Sequence, residues 1–103
     1  MSYEKLTSRE RAYLRSLANP LEAIFQIGKG GLGPNFYTQV DEALEKRELI
    51  KVCLLETADV APKDAAALLT QNTGSQSVQV IGRRIVLYRA AKEKDKRKIV
   101  LPK

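Results

Sequence analysis

Residues 24–34 read Ile24-Phe25-Gln26-Ile27-Gly28-Lys29-Gly30-Gly31-Leu32-Gly33-Pro34 and hold four of the chain's six glycines. An apolar run with strand character, residues 23–27, enters a loop almost bare of side chains. A helix then opens at Pro34, since proline is favoured at the first helical position. This order demands a strand, a tight turn and a helix in immediate succession, the beginning of a mixed α/β arrangement. Glycine admits positive φ and close backbone approach because no Cβ intervenes. The helix N-terminus beyond it offers unpaired N–H groups and the positive end of a dipole, a combination suited to phosphate. Lys29 is the one cation inside the turn.

The flanking segments supply the rest of the fold. Leu6-Thr7-Ser8-Arg9-Glu10 has the form of a helix start, with Thr7 as cap, Glu10 completing a capping box and Leu6 as a staple. Leu14, Leu17 and Ala18 share a face, and the helix stops before Asn19-Pro20 because a residue preceding proline avoids the α region. Arg11 and Arg15, four apart, stack on one flank. In the helix from Pro34, Phe36, Val40, Ala43 and Leu44 follow helical spacing, and Asp41, Glu45 and Glu48 form an acidic face that should point away from nucleic acid. Residues 49–55 are apolar except for Lys51, the pattern of a strand inside a sheet covered by helices. Pro62-Lys63-Asp64 opens an alanine-rich helix that ends at Gly74. Val78 and Val80 alternate with polar neighbours, Gly82-Arg83 turns, and residues 84–88 return as the last strand. The predicted order is α-β-α-β-α-β-β.

With 103 residues there is room for one domain, expected to span residues 1–103 with a mobile basic tail from about residue 90. The net charge of +6 is unevenly placed. Residues 1–82 carry nine Lys/Arg against ten Asp/Glu, and residues 83–103 carry nine against two. A polyanionic partner is implied. No apolar run approaches the roughly 20 residues that span a bilayer, and the first residues lack a signal-peptide core. The lone Cys53 reads as a small buried hydrophobe in a reducing cytoplasm.

Much chemistry is excluded. Without histidine there is no Ser-His triad, no Cys-His pair and, with one cysteine, none of the usual zinc sites. The turn is neither GxxxxGK followed by Ser or Thr nor GxGxxG. Asp59 and Asp64 are loop and helix-start residues rather than acid–base groups. The expectation is a binding protein, not an enzyme, with no catalytic residue, cofactor or metal.

Gln26-Ile27-Gly28-Lys29-Gly30-Gly31 resembles the signature loop of the CRM domain (chloroplast RNA splicing and ribosome maturation), most closely in its small bacterial stand-alone, YhbY-like RNA-binding members. The resemblance extends through Arg11-Ala12-Tyr13-Leu14-Arg15, Asp41-Glu42-Ala43-Leu44, Glu48-Leu49-Ile50-Lys51-Val52, Val80-Ile81-Gly82 and Ile85-Val86-Leu87-Tyr88-Arg89. It implies an α/β (α+β) fold, a four-stranded mixed sheet packed with helices, similar to the C-terminal domain of translation initiation factor three. It also implies RNA binding, with ribosomal RNA of large-subunit precursors as partner and the GxxG loop Gly28-Lys29-Gly30-Gly31 clamping a sugar–phosphate backbone. Gly33-Pro34 departs from the pattern, where a Ser/Thr-type cap and an acidic residue are expected; the helix start is left uncapped and its N–H groups more available.

Each candidate also has a plainer explanation. Gly28, Gly30 and Gly31 could serve only a tight turn, and Lys29 could be an ordinary loop lysine. Arg11 and Arg15 could be a solvated flank, and Lys51 could snorkel from the sheet. Arg83 and Arg84 add non-specific attraction at the hairpin, as do the lysines of residues 92–98. Tyr37, Tyr88 and Phe25 are taken as core rather than as stacking platforms. The leading expectation is a cytoplasmic, single-domain RNA-binding protein of large ribosomal subunit (pre-50S) assembly, with neither a membrane nor a small molecule as partner. The alternative is an adaptor docking on ribosomal proteins, its RNA contact incidental.

Overall fold

The computed structural model describes residues 6–102, so residues 1–5 and 103 of the expected domain lie outside the described residues. Three α-helices and four strands follow in the predicted order: α1 (Ser8–Ala18), β1 (Phe25–Ile27), α2 (Pro34–Arg47), β2 (Leu49–Leu54), α3 (Pro62–Thr73), β3 (Gln76–Ile81) and β4 (Arg84–Tyr88). The helix ends obey local chemistry. Thr7 and Glu10 close a capping box on α1, and α2 and α3 both begin with proline. Gly74 ends α3 at φ 68°, a left-handed conformation that costs glycine little.

The sheet order is β1-β2-β4-β3. β1 runs parallel to β2, while β2–β4 and β3–β4 are antiparallel, so the sheet is mixed. The strand expected over residues 23–27 is shorter. As an edge strand it pairs only with β2, although Ile24 N–H still donates to the Lys51 carbonyl at 2.9 Å.

Helices lie on both faces of β2. On one, α2 and α3 bury Ile50, Val52, Leu54, Ile85 and Leu87 against Val40, Leu44, Ala65 and Leu69. On the other, α1 buries Leu49, Val78, Val86 and Tyr88 under Leu14 and Ala18. At about 1.5–3 kcal/mol per fully buried aliphatic or aromatic side chain, these two clusters supply the main stabilisation. Tyr88 is core, as expected; its burial, reinforced by the nearby Glu48 charge, pushes the phenol pKa up.

Two expectations change. A register shift between Ser77 and Gln79 breaks the alternation of β3, so Val78 is buried under α1 while Val80 pairs with Ile85 and stays 36% exposed. Cys53 is half-exposed rather than buried, because α1 ends before reaching its part of the sheet.

Candidate nucleic-acid interface

The glycine turn sits where β1 leaves the sheet. Gly31 N–H donates to the Gly28 carbonyl at 3.0 Å, and Gly30 takes φ 67° at the second corner, as a type II turn requires. A Cβ on Gly31 would lie 3.0 Å from the Gly28 carbonyl oxygen, a rigid backbone atom. A tight turn therefore accounts for Gly30 and Gly31 by itself. Gly28 is crowded only by the Thr57 hydroxyl, 3.3 Å from its would-be Cβ. Gly33 has extended backbone and open space, so local geometry does not require glycine there.

Among the described residues, Gly31 is the only turn residue whose amide is engaged. The amides of Lys29, Gly30, Leu32 and Gly33 have no acceptor among the described residues. α2 begins directly beyond them with no side-chain cap and no acidic residue in its first turn. A bare turn, an uncapped helix mouth and the exposed Lys29 thus adjoin one another.

Neighbouring loops meet the turn at the same end of the sheet. Leu55 N–H donates to the Ile27 carbonyl at 2.9 Å, and Leu54 N–H donates to the Arg83 carbonyl at 2.7 Å. The Arg83 guanidinium reaches back to the Leu55 carbonyl at 3.3 Å. The exit of β2 is stitched between the glycine turn and the β3–β4 hairpin, which brings Arg83 and Arg84 to the end that carries Lys29. Lys51 points to the same face as Arg84, since the pairs Lys51–Val86 and Cys53–Arg84 are successive same-face positions. Glu56 and Asp59 in residues 55–61 belong to this end too and oppose an anionic ligand.

The two arginines of α1 part company. Arg11 is half-buried, and its guanidinium donates to the carbonyls of Ser77 at 2.5 Å and Val78 at 3.0 Å, pinning α1 to the irregular stretch of β3. Arg15 is exposed, one turn before Asn19, which lines a hollow with Lys51.

The acidic face of α2 receives the C-terminal segment, for which a mobile tail was the expectation. Arg89 is buried and donates to Asp41, to the Thr73 carbonyl at 2.8 Å and to Glu45 at 3.5 Å. Glu45 accepts the N–H groups of Lys92 and Glu93. Glu48 accepts those of Ala91, Lys98 and Ile99 at 2.8, 2.6 and 2.9 Å. Ile99 and Leu101 then pack beside α1. Residues 89–101 are folded back as a strap, because backbone donors that would otherwise face water meet two carboxylates already fixed on a helix.

Glu48 is fully buried and sits at the C-cap of α2 with φ 65°, a conformation that disfavours any residue with a Cβ. Burial pushes its carboxyl pKa up, but the three N–H donors and the Arg97 guanidinium outweigh this and hold it below the ordinary value. Glu45 is held low as well, chiefly by the Lys92 and Glu93 N–H groups. Sequence reasoning missed these anchors. The signal was available in the acidic series Asp41, Glu45, Glu48 within a chain whose last residues are strongly basic. Among the described residues there is no group of side chains suited to a metal ion, and no helix is long and apolar enough to cross a membrane.

Comparison with known proteins agrees with this architecture. The chain is 48% identical over 88 residues to the probable RNA-binding protein YqeI of Bacillus subtilis (strain 168), covering 85% of this chain and 92% of that one. It is 30% identical over 98 residues to an RNA-binding protein of Haemophilus influenzae, covering 95% and 96%. Its fold is similar to the solution structure of a hypothetical Staphylococcus aureus protein, provisionally described as RNA-binding. The TM-score is 0.75 at 47% identity, covering 95% of this chain and 100% of that one. The family model of the CRS1 / YhbY (CRM) domain matches residues 6–89, a span from the capping residues of α1 to the buried Arg89. On that match and these relatives, the chain belongs to the CRS1 / YhbY (CRM) domain family.

Proposed function

We propose that the protein binds RNA, specifically ribosomal RNA of the large-subunit precursor, and acts in the cytoplasm as an assembly factor rather than an enzyme. The relatives described as RNA-binding support the coarser part of this statement. One observation carries the mechanism: unengaged turn amides, an uncapped helix mouth and the cations Lys29, Arg83 and Arg84 lie at one end of the sheet. Backbone N–H groups and a helix dipole fix a phosphate in place, and the cations add long-range attraction. Arg11, held by β3, contributes to the fold in this mechanism, and Arg15 contributes field at a distance.

Four cations on phosphates, Lys29, Arg83, Arg84 and Lys51, correspond to a slope of about −3 in log K against log salt on single-stranded RNA. Lys29→Glu removes one of them and adds repulsion. It should weaken binding by about tenfold or more at low salt and leave the melting temperature unchanged, since Lys29 makes no contact that the fold needs. A Lys29→Glu chain that binds large-subunit rRNA like the parent refutes the clamp. Association with precursor particles that survives nuclease and high salt points instead to docking on a ribosomal protein.

A further inference from the structure

α1 covers only part of its side of the sheet. Leu14 and Ala18 close over Leu49, Val78, Val86 and Tyr88, and the helix ends there. Past its end, the register sets Gln26, Cys53, Arg84 and Ile81 side by side across all four strands. Residues paired in this way point to one face, and their position two residues from the Lys51–Val86 pair makes it the α1 face. At about 4.8 Å between strands the row is roughly 14 Å long.

Among the described residues, no helix lies over it. Gln26 and Arg84 are exposed, Cys53 is half-exposed, and Ile81 is 60% exposed, a high value for a branched aliphatic residue on a strand. Behind the row, Asn19, Lys51, Gln79 and Val86 line a shallow hollow of about 180 Å³ together with Ile81 and Arg84. Neither row nor hollow contains a carboxylate.

Resting on the RNA-binding role proposed above, we infer that this row is the surface that contacts the bases of a single-stranded RNA segment whose backbone is held at the glycine turn. Two features on the face itself favour that occupant. Lys51 and Arg84 are cations that share the hollow with no carboxylate, complementary to phosphate. Gln26, Gln79 and Asn19 carry amides that donate and accept together, the capability needed to read unpaired base edges. Continuity adds a third: the row starts two residues before Gly28, and Arg84 adjoins the hairpin turn stitched to the same end. The row and the hollow have no aromatic side chain, so Ile81 supplies the apolar contact to a base and the amides supply sequence preference. A duplex keeps its base edges paired and gains nothing from this row.

The single cysteine of the chain lies in mid-row and serves as a probe. In the full chain, saturation with a short random-sequence single-stranded RNA should slow alkylation of Cys53 by iodoacetamide at least several-fold. Ile81→Ser should lower affinity for that RNA about fivefold through lost apolar burial, with its salt slope and its affinity for an RNA duplex of the same composition unchanged. Single-stranded RNA that binds while Cys53 stays as reactive as in the free chain overturns the inference and leaves the glycine turn its role. The same holds if Ile81→Ser binds single-stranded RNA like the parent. Binding indifferent to Lys29→Glu, with Cys53 still protected, overturns the clamp and supports this face.

Discussion

Glu48→Gln tests how the C-terminal strap is held. In the parent, one carboxylate oxygen accepts the Ala91 N–H and the other accepts those of Lys98 and Ile99. Glutamine keeps one accepting oxygen, so at least one bond is lost, and its NH2 faces another donor in a site fully closed to solvent. Hydrogen bonds to a charged acceptor contribute about 1.5–3 kcal/mol each, and the survivors weaken once the acceptor is neutral. The expected destabilisation is about 2–4 kcal/mol, limited above by release of the strap, which lets the freed N–H groups bind water. Urea unfolding should show a lower midpoint at constant slope, and hydrogen exchange at Ala91, Lys98 and Ile99 should accelerate ahead of the core. The pH dependence has a defined sign. Glu48 is held below its ordinary 4.5 in the folded chain, so its stabilisation is complete above that pH and is lost as pH falls through the lower folded value. Acid should therefore loosen the strap of the parent below about pH 4.5, and the Glu48→Gln variant should lack that component. A loss under about 0.5 kcal/mol, or unchanged exchange at those three amides, would refute this account.

Three further outcomes follow from the same geometry. Gly31→Ala should cost at least about 1 kcal/mol, because its Cβ meets the Gly28 carbonyl, whereas Gly33→Ser should gain a few tenths of a kcal/mol by capping α2; thermal unfolding of the two variants separates turn geometry from helix capping. Arg11→Met should destabilise by about 1–2 kcal/mol through loss of its bonds to Ser77 and Val78, while Arg15→Met leaves the unfolding midpoint in place. Glu56→Lys, beside the residues that flank Gly28, should raise RNA affinity at low salt and lose that gain at high salt, as titration at two ionic strengths would reveal.

Locally encoded features were legible from the chain. Thr7 and Glu10 announce α1, Pro34 and Pro62 announce the later helices, and Gly74 and Gly82 mark where chain direction changes. The glycine turn was legible as a turn, and its glycines have mixed causes. Gly30 and Gly31 serve the turn's own conformation and crowding, and what remains for a ligand is the set of unengaged amides beside them. Missed were residues whose partners lie far along the chain. Arg11 and Arg15 look equivalent on a helical wheel, yet only Arg11 meets the β3 carbonyls. The acidic face of α2 was legible as a row of carboxylates, but its partners, Arg89 and the strap, lie some forty to fifty residues downstream.

From its residues alone, this chain determined where helices begin, the order in which helices and strands follow, that one turn is stripped of side chains, and that its positive charge gathers toward the C-terminus. Capping, proline and glycine act within a few residues, and charge is a sum over composition, so neither needs a fold to be read. Tertiary structure decided which cations share one end of the sheet, which carboxylates bind the strap, and which sheet face stays open. Those outcomes depend on strand register and on how far an eleven-residue helix reaches across four strands, distances that exist only once the chain has closed on itself.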